Sequence, residues 1–334
     1  GLKQIRRRVE KGIFNEAAKL GKIKKKDVLK AYQKFVFKGI KIKGLEKMKV
    51  VADIGNGMAT ILMPLLKEKL PLQITELFSD LDGRFPNRGS DPTIRQHQKH
   101  LVKKLKESEY DFGIAFDGDS DRIAFLDEKG NFVNSAAIGA LISDRLLLTH
   151  PKAKIIYTIL TSRILEETIK TAKGKAVQAR VGHAFIKEAM RKQDVLFGCE
   201  QSGHYYFKDY FYTDSVILTL RYVLEAYSEA KAAGIPFSKL VEPYVSYKQT
   251  EDVVVDVEDK KKAMQKVEKY LLAKNPQLVK RFDGLFVDFG EVWGAVTISV
   301  TEHALKTVFE SKVKAKAEVM QKEVVAYIKS IAKG

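Results

Sequence analysis

The chain has 334 residues, of which 45% are hydrophobic and 30% charged, so it is long enough for two or three domains with buried cores. It contains no apolar run as long as a membrane span and no signal peptide, and its single cysteine, Cys199, excludes a disulfide within the chain; we therefore expect a soluble, cytoplasmic protein. The net charge of +17 comes from lysines spread along the whole chain, which favours solvated helix faces over a nucleic-acid surface, and no zinc-finger spacing or RRM-like aromatic motif occurs.

The first third of the chain predicts alternating helices and strands. Residues 2–38 have a helical pattern with lysine-rich connections, and "KMKVVADIGNGMA" (47–59) is typical of a buried strand that ends in a glycine turn before a helix. "QITELFSD" predicts a second strand, "GRFPNRGSDPT" a loop in which Asn87 orients its neighbours, "HQKHLVKKLKESE" a helix and "DFGIAFD" a third strand. This order favours parallel pairing with right-handed crossovers, which places both "DIGNG" and "DGDSDR" at the carboxyl ends of strands, where such sheets bind ligands.

A second cycle of the same kind follows, and then the pattern changes. Helix and strand patterns alternate from "AAIGALISDRLLL" to the long helix "DSVILTLRYVLEAYSEAKAA", whereas the segments after "GIPFSKLVEPY" predict a small α+β domain. The predicted fold class is therefore α/β, with two α/β domains of mixed, largely parallel sheets and a C-terminal α+β domain. We place these domains at residues 1–134, 135–242 and 243–334.

Three aspartates at alternate positions follow the third predicted strand. In a tight loop, Asp117, Asp119 and Asp121 can converge on one hard divalent cation, and Mg²⁺ prefers such oxygen ligands. Arg122 adds a cationic fork suited to a phosphate or a sugar hydroxyl. An EF-hand loop is one alternative, since Glu128 falls at its twelfth position, but Arg122 stands where that loop needs glycine and the segment follows a strand. An acidic surface turn is the other alternative, although carboxylates so close together repel one another without a cation.

The loop "GCEQSGH" (198–204) carries polar side chains suited to a sugar. Glu200 can accept two hydrogen bonds from vicinal hydroxyls, and Ser202 and His204 can complete the site. A hydrolase nucleophile elbow is excluded because Glu200 stands where the first glycine of G-x-S-x-G belongs. Without its context the segment is equally typical of an ordinary turn.

The segment "ARVGHAFIK" (179–187) is a candidate anion site. Gly182 and His183 lie just before a predicted helix, whose N-terminal N–H groups favour anions, and Arg180 is beside them. The alternative is that His183 is a structural residue.

The order "DIGNGMA", "GRFPN", "FDGDSDR", "ARVGHAFIK" and "CEQSGHYYFKDYFYTDSVILTL" strongly resembles the α-D-phosphohexomutases, notably the phosphomannomutase/phosphoglucomutase group. The resemblance covers nearly the whole chain and implies the second, third and fourth domains of a four-domain enzyme, in which a phosphoserine of the first domain donates its phosphoryl group to a hexose phosphate beside Mg²⁺. It implies the following roles: metal ligands Asp117, Asp119 and Asp121; sugar-binding residues Glu200, Ser202, His204, Gly182 and His183; phosphate-binding residues Arg122, Ser299 and Thr301. Arg180, from the anion-site pattern, and Lys306 complete the predicted phosphate-binding residues.

The chain departs from the family pattern in two places. No loop like "T-A-S-H-N-P" occurs in the sequence, so we expect the serine-bearing domain to be removed, lost or supplied as a separate domain or chain, and this chain to be inactive alone. The family pattern near "W-x-L-V-R-P-S-N-T-E-P" aligns with "WGAVTISVTEH" (293–303), where Thr297 replaces the arginine. Threonine cannot reproduce a bidentate arginine–phosphate pair, which Lys306 replaces in part if it points inward.

Two functions remain open at this point. One is a phosphohexomutase acting on mannose or glucose 1- or 6-phosphate with Mg²⁺, once a serine domain is supplied. The alternative is a non-catalytic relative that binds a sugar phosphate or a protein partner. The sequence does not distinguish the sugars, and a nucleic-acid partner or membrane contact is not expected.

Overall fold

The computed structural model describes residues 1–40, 42–299 and 302–332. Contacts between Cα atoms divide the chain into two compact units, Gly1–Lys38 and Gly39–Gly334. This division does not separate the domains predicted to meet at residues 134 and 242, so those boundaries remain a prediction.

The first unit contains two short helices, α1 (Leu2–Glu10) and α2 (Leu29–Val36). The helical pattern predicted for residues 2–38 is therefore wrong for residues 11–28, which form no helix. Gly12, with φ of +63°, turns the chain out of α1, and the lysines that crowd residues 22–26 repel one another in a helix.

The second unit begins with a five-stranded sheet in the order β2-β1-β3-β4-β5. β1 pairs in parallel with β2 and β3, whereas β4 is antiparallel to β3 and β5 is antiparallel to β4. This is expected for a strand–helix alternation that ends in hairpins. The elements are β1 (Lys49–Asp53), α3 (Ala59–Lys69), β2 (Gln73–Leu77), α4 (Lys99–Leu105), β3 (Phe112–Phe116), β4 (Ile123–Asp127) and β5 (Phe132–Val133).

A second five-stranded sheet repeats this topology. Its order β10-β9-β8-β6-β7 has β6 parallel to β7 and β8, followed by antiparallel β9 and β10, which is the same winding as in the first sheet. The elements are α5 (Ser135–Thr149), β6 (Lys154–Thr158), α6 (Arg163–Thr171), β7 (Lys175–Ala179), α7 (His183–Gln193), β8 (Phe197–Cys199), β9 (Tyr205–Phe207), β10 (Thr213–Asp214), α8 (Val216–Ala232) and α9 (Phe237–Val241).

The last sheet is antiparallel, with the order β11-β16-β15-β14-β13 and β12 also paired to β16. One face packs against α10 and α11 around Leu271, Phe309 and Ile328, and Val308 on the other face contacts Leu160 of the second sheet's layer. The elements are β11 (Lys248–Gln249), β12 (Val253–Asp256), α10 (Lys260–Leu272), β13 (Leu278–Arg281), β14 (Leu285–Asp288), β15 (Val292–Ile298), β16 (Ala304–Ser311) and α11 (Lys314–Ile331). The α/β and α+β classes predicted from the sequence are confirmed.

Buried polar contacts hold the layers of the second unit together. Asp111, just before β3, accepts hydrogen bonds of 2.5 Å from Tyr227 and Lys231 of α8. Glu310 of β16 accepts hydrogen bonds from the Trp293 indole (2.7 Å) and from the Arg163 backbone at the N-terminus of α6 (3.0 Å). The bonds of Asp111 join the layers of the first and second sheets, and the bond between Glu310 and Arg163 joins those of the second and third. Within the described residues, no helix has the length and apolar character that a bilayer crossing requires.

Candidate metal and sugar-phosphate site

The three aspartates after β3 converge. One carboxylate oxygen from each of Asp117, Asp119 and Asp121 lies within 4.8 Å of the others, and the loop turns at Ser120, whose φ is +63°. Asp117 is buried, Asp121 half-buried and Asp119 exposed, so the group opens toward solvent on one side. Three hard oxygen donors at this separation, with an open side for water or a phosphate oxygen, fit a small divalent cation.

Arg122 connects the aspartate loop to the loop 83–93 through hydrogen bonds. Its backbone N–H and its Nε donate to the two carboxylate oxygens of Asp117, at 3.0 and 2.7 Å, and its Nη1 donates to Asp91 at 3.0 Å. Burial raises the pKa of Asp117 to about 6 even though the Arg122 guanidinium opposes this shift. A buried carboxyl of this kind gains more from a bound cation than an exposed one does.

The second predicted loop lies directly against the first. His204 Nε2 is 3.2 Å from Asp121 Oδ1, and Ile123 donates a backbone hydrogen bond of 3.2 Å to Gly203. The hydrogen bond with His204 lowers the pKa of Asp121 to about 2. Burial of the imidazole is the largest single influence and opposes its protonation, but the hydrogen bond to Asp121 and the negative charges of Glu200 and Asp121 together raise the pKa of His204. The two motifs that the sequence singled out therefore form one polar cluster.

Hydrogen bonds from two neighbours fix the orientation of the Glu200 carboxylate. Its Oε2 accepts a 2.5 Å hydrogen bond from Tyr206, and its Oε1 accepts from the Gly182 backbone at 3.3 Å. Ser202 Oγ lies 2.8 Å from His204 Nδ1. The carboxylate of Glu200 thus has its remaining lone pairs available to the space above the loop.

That space is a cleft of about 440 Å³ bordered by all three sheets. Of the predicted site residues, it is lined by Arg122, Glu200, Ser202 and Lys306. Lys306 lies on β16 opposite Thr297 of β15 in register, so the two residues share a face of the sheet. Lys306, which was predicted to replace the missing arginine in part, thus lines the cleft.

Other predicted residues lie elsewhere. Arg180 pairs with Asp283 at 3.1 Å and stacks over Phe185, and it is not among the residues that line the cleft. His183 is exposed at the first position of α7 and does not line the cleft either.

Most of the predicted phosphate segment lies in β15, which ends at Ile298. Ser299 is buried, and its hydroxyl accepts a 3.2 Å hydrogen bond from the Glu302 backbone. Lys260 binds the carbonyls of Ser299 and Glu302 at 3.0 and 3.1 Å. Thr297 is buried in β15. Thr301 lies outside the described residues.

The sequence reasoning missed several residues of the cleft wall. Asp91, Arg95 and Asp252 line the cleft, and Arg95 also stacks over Phe132 at 4.3 Å. Asp91 belongs to the loop 83–93, which was identified as a loop but not as a site. Asp252 follows β11 in a segment with no recognisable motif, so only its position in space reveals it.

Similarity to known proteins extends over nearly the whole chain. Family models described as "Phosphoglucomutase/phosphomannomutase, alpha/beta/alpha domain II" and "domain III" match residues 30–130 and 134–247. A phosphomannomutase/phosphoglucomutase of Pseudomonas syringae pv. tomato is 33% identical over 326 residues, which cover 95% of this chain and 68% of that relative. Across the similar relatives, the chain spans 59% to 70% of their lengths.

Solved structures show the same fold. A phosphoglucomutase/phosphomannomutase family protein of Burkholderia thailandensis superposes with a TM-score of 0.87 at 26% identity, over 100% of this chain and 70% of that one. An N-acetylphosphoglucosamine mutase of Aspergillus fumigatus, solved with GlcNAc-6P and magnesium, has a TM-score of 0.61 at 18% identity, over 91% of this chain and 65% of that one. By the shared motifs, the matched domains and the extent of the identity, the chain belongs to the α-D-phosphohexomutase superfamily.

Proposed function

We propose that this chain forms the metal-binding and sugar-binding part of a hexose-phosphate mutase. The observation that carries the proposal is a contact between the Glu200–His204 loop and the loop of residues 117–122, called the metal loop below. His204 Nε2 lies 3.2 Å from Asp121 Oδ1. The contact supports the proposal because it joins carboxylate oxygens suited to a cation to a loop whose Glu200 and Ser202 line the cleft.

Asp117, Asp119 and Asp121 hold Mg²⁺ in this proposal, and the ion, when bound, neutralises charge on a transferring phosphoryl group. Magnesium is the ion named in the structure of the Aspergillus mutase, and three carboxylates with an open side fit its preference for oxygen ligands and retained water. Arg122 keeps the first ligand oriented and presents the rest of its guanidinium to the cleft.

Glu200 and Ser202 bind the hydroxyls of the sugar, and Tyr206 and Gly182 hold the Glu200 carboxylate in place for this. Lys306, which lines the same cleft, binds the phosphate remote from the metal. His204 supports the sugar-binding loop and couples it to the metal loop. The substrate class is therefore a hexose phosphate such as glucose 1-phosphate or mannose 1-phosphate.

The phosphoryl carrier is not among these residues, because the sequence has no counterpart of the family's serine loop. We propose that the chain alone binds Mg²⁺ and hexose phosphate but does not turn the phosphate over. The test is calorimetric titration of glucose 1-phosphate and mannose 1-phosphate in Mg²⁺, with a mutase assay that includes the hexose bisphosphate activator. Binding without turnover supports the proposal. Turnover by the isolated chain contradicts the inactivity, and absence of binding contradicts the site.

A second candidate function is permanent binding without catalysis, in the manner of a sugar-phosphate sensor. It is favoured by Thr297, which stands where the family pattern has an arginine and is buried in β15. No guanidinium at this position can therefore hold the substrate's phosphate during reorientation. The two functions separate when a serine domain from a related mutase is added to the chain, because only the mutase then gains turnover.

A further inference from the structure

Arg88 is a buried arginine with no part in the proposed chemistry. It lies in the loop 83–93, and its side chain is only 2% exposed. A buried guanidinium is costly unless every side of it is paired, so its partners indicate what it is there to hold.

Those partners come from three separate segments at the carboxyl edge of the first sheet. Nε donates to Asp53 Oδ1 at 2.9 Å, and Nη2 donates to the Phe116 carbonyl at 2.7 Å. Nη1 donates to the Gly89 carbonyl in the arginine's own loop at 2.9 Å. Arg88 therefore joins the last residue of β1, the last residue of β3 and the loop 83–93.

The backbone makes room for this arrangement. Gly55 has φ of +59°, and a Cβ there would stand 2.4 Å from Arg88 Nη2. A Cβ at Gly57 would stand 2.7 Å from the Gly118 carbonyl, which accepts a hydrogen bond from the Met58 backbone at 2.9 Å. The glycine turn after β1 therefore packs closely against Arg88 at Gly55 and against the metal loop at Gly57.

We propose that Arg88 is a positioning residue for the metal loop. Phe116, whose carbonyl it binds, immediately precedes Asp117, and the loop that it anchors supplies Asp91 to Arg122. Arg88 thereby fixes where the aspartate loop leaves β3 and where its internal arginine points. This inference rests on the proposed metal site, because it assigns a role toward the ion that the aspartates hold.

A rigid loop should matter most for a small ion. Mg²⁺ requires short, nearly octahedral contacts, whereas Ca²⁺ accepts longer contacts and irregular geometry. Loosening the anchor of the loop should therefore weaken Mg²⁺ binding more than Ca²⁺ binding. A purely structural salt bridge would change stability but not the ratio of the two affinities.

The test compares Arg88→Met and Arg88→Lys with Arg84→Met, a matched control on the same loop whose side chain is 87% exposed. Methionine removes all the bonds, and lysine keeps the charge opposite Asp53 but cannot reach the three segments at once. Mg²⁺ and Ca²⁺ affinities are measured on each full chain by competition with Mn²⁺. Hydrogen exchange of the metal-free proteins reports the protection of residues 117–123.

We expect Mg²⁺ affinity to fall at least about tenfold in the folded Arg88 variants, with a smaller fall for Ca²⁺ and faster exchange of residues 117–123. Arg84→Met should match wild type in both. An unchanged ratio of Mg²⁺ to Ca²⁺ affinity in a folded Arg88 variant overturns the proposal, and so does failure of both variants to fold, which would make Arg88 a folding residue. If wild type binds no divalent ion, the proposed metal site itself is rejected.

Discussion

Replacing Lys306 with methionine should weaken binding of a hexose phosphate while leaving binding of the free hexose unchanged. Lys306 lines the cleft together with Glu200 and pairs in register with Thr297, where the family pattern has an arginine. Methionine keeps an unbranched side chain of similar reach and removes only the ammonium group.

The size of the effect follows from one charge-assisted interaction. Hydrogen bonds to charged groups contribute about 1.5–3 kcal/mol, which corresponds to roughly tenfold to a hundredfold in affinity. Lys306 is half-buried, so water competes for the phosphate and favours the lower part of this range. Asp252 also lines the cleft, and without the ammonium its negative charge near the phosphate is no longer offset.

The assay is calorimetry with glucose 1-phosphate and ligand-observed NMR with glucose, for wild type, Lys306→Met and Lys261→Met. Lys261 is an exposed lysine of α10 and serves as the control for loss of one positive charge. Equal affinity of wild type and Lys306→Met for the phosphorylated sugar would refute the reasoning. Equal loss of both ligands would show instead that Lys306 supports the fold of the cleft.

Three further predictions rest on the burial of single side chains. Asp119→Asn should lower Mg²⁺ affinity without lowering the melting temperature, because the Asp119 side chain is more exposed than those of Asp117 and Asp121 and its proposed role is to bind the ion. A lower melting temperature with unchanged Mg²⁺ affinity would contradict this. Thr297→Arg should destabilise the chain by about 1–3 kcal/mol in urea unfolding rather than restore a phosphate clamp, since the site is packed; tighter hexose-phosphate binding would count against it. Burial raises the pKa of Glu310 above its ordinary value of 4.5, so wild type should lose stability as pH rises from that ordinary value through the higher one in the folded state. Glu310→Gln should therefore gain melting temperature relative to wild type as pH increases, whereas the exposed control Glu291→Gln should show no such trend.

The local clusters were predictable because their residues are close in sequence. Asp117, Asp119 and Asp121 share one turn, so their convergence follows from a strand that ends at Phe116. The repeated order of strands and helices likewise indicated parallel sheets from the sequence alone. Residues 11–28 were misjudged, because a pattern of apolar and charged residues does not show where a glycine and a lysine run end a helix.

The sequence by itself determined the α/β class, the convergence of the three aspartates and the loop around Glu200, since each depends on contacts between neighbours along the chain. Only the tertiary structure decided that His204 meets Asp121, that Lys306 lines the cleft and that Arg88 joins the ends of β1 and β3. Those contacts depend on strand register and on the packing of one sheet against another, and both are set by the summed burial of many side chains distant in sequence.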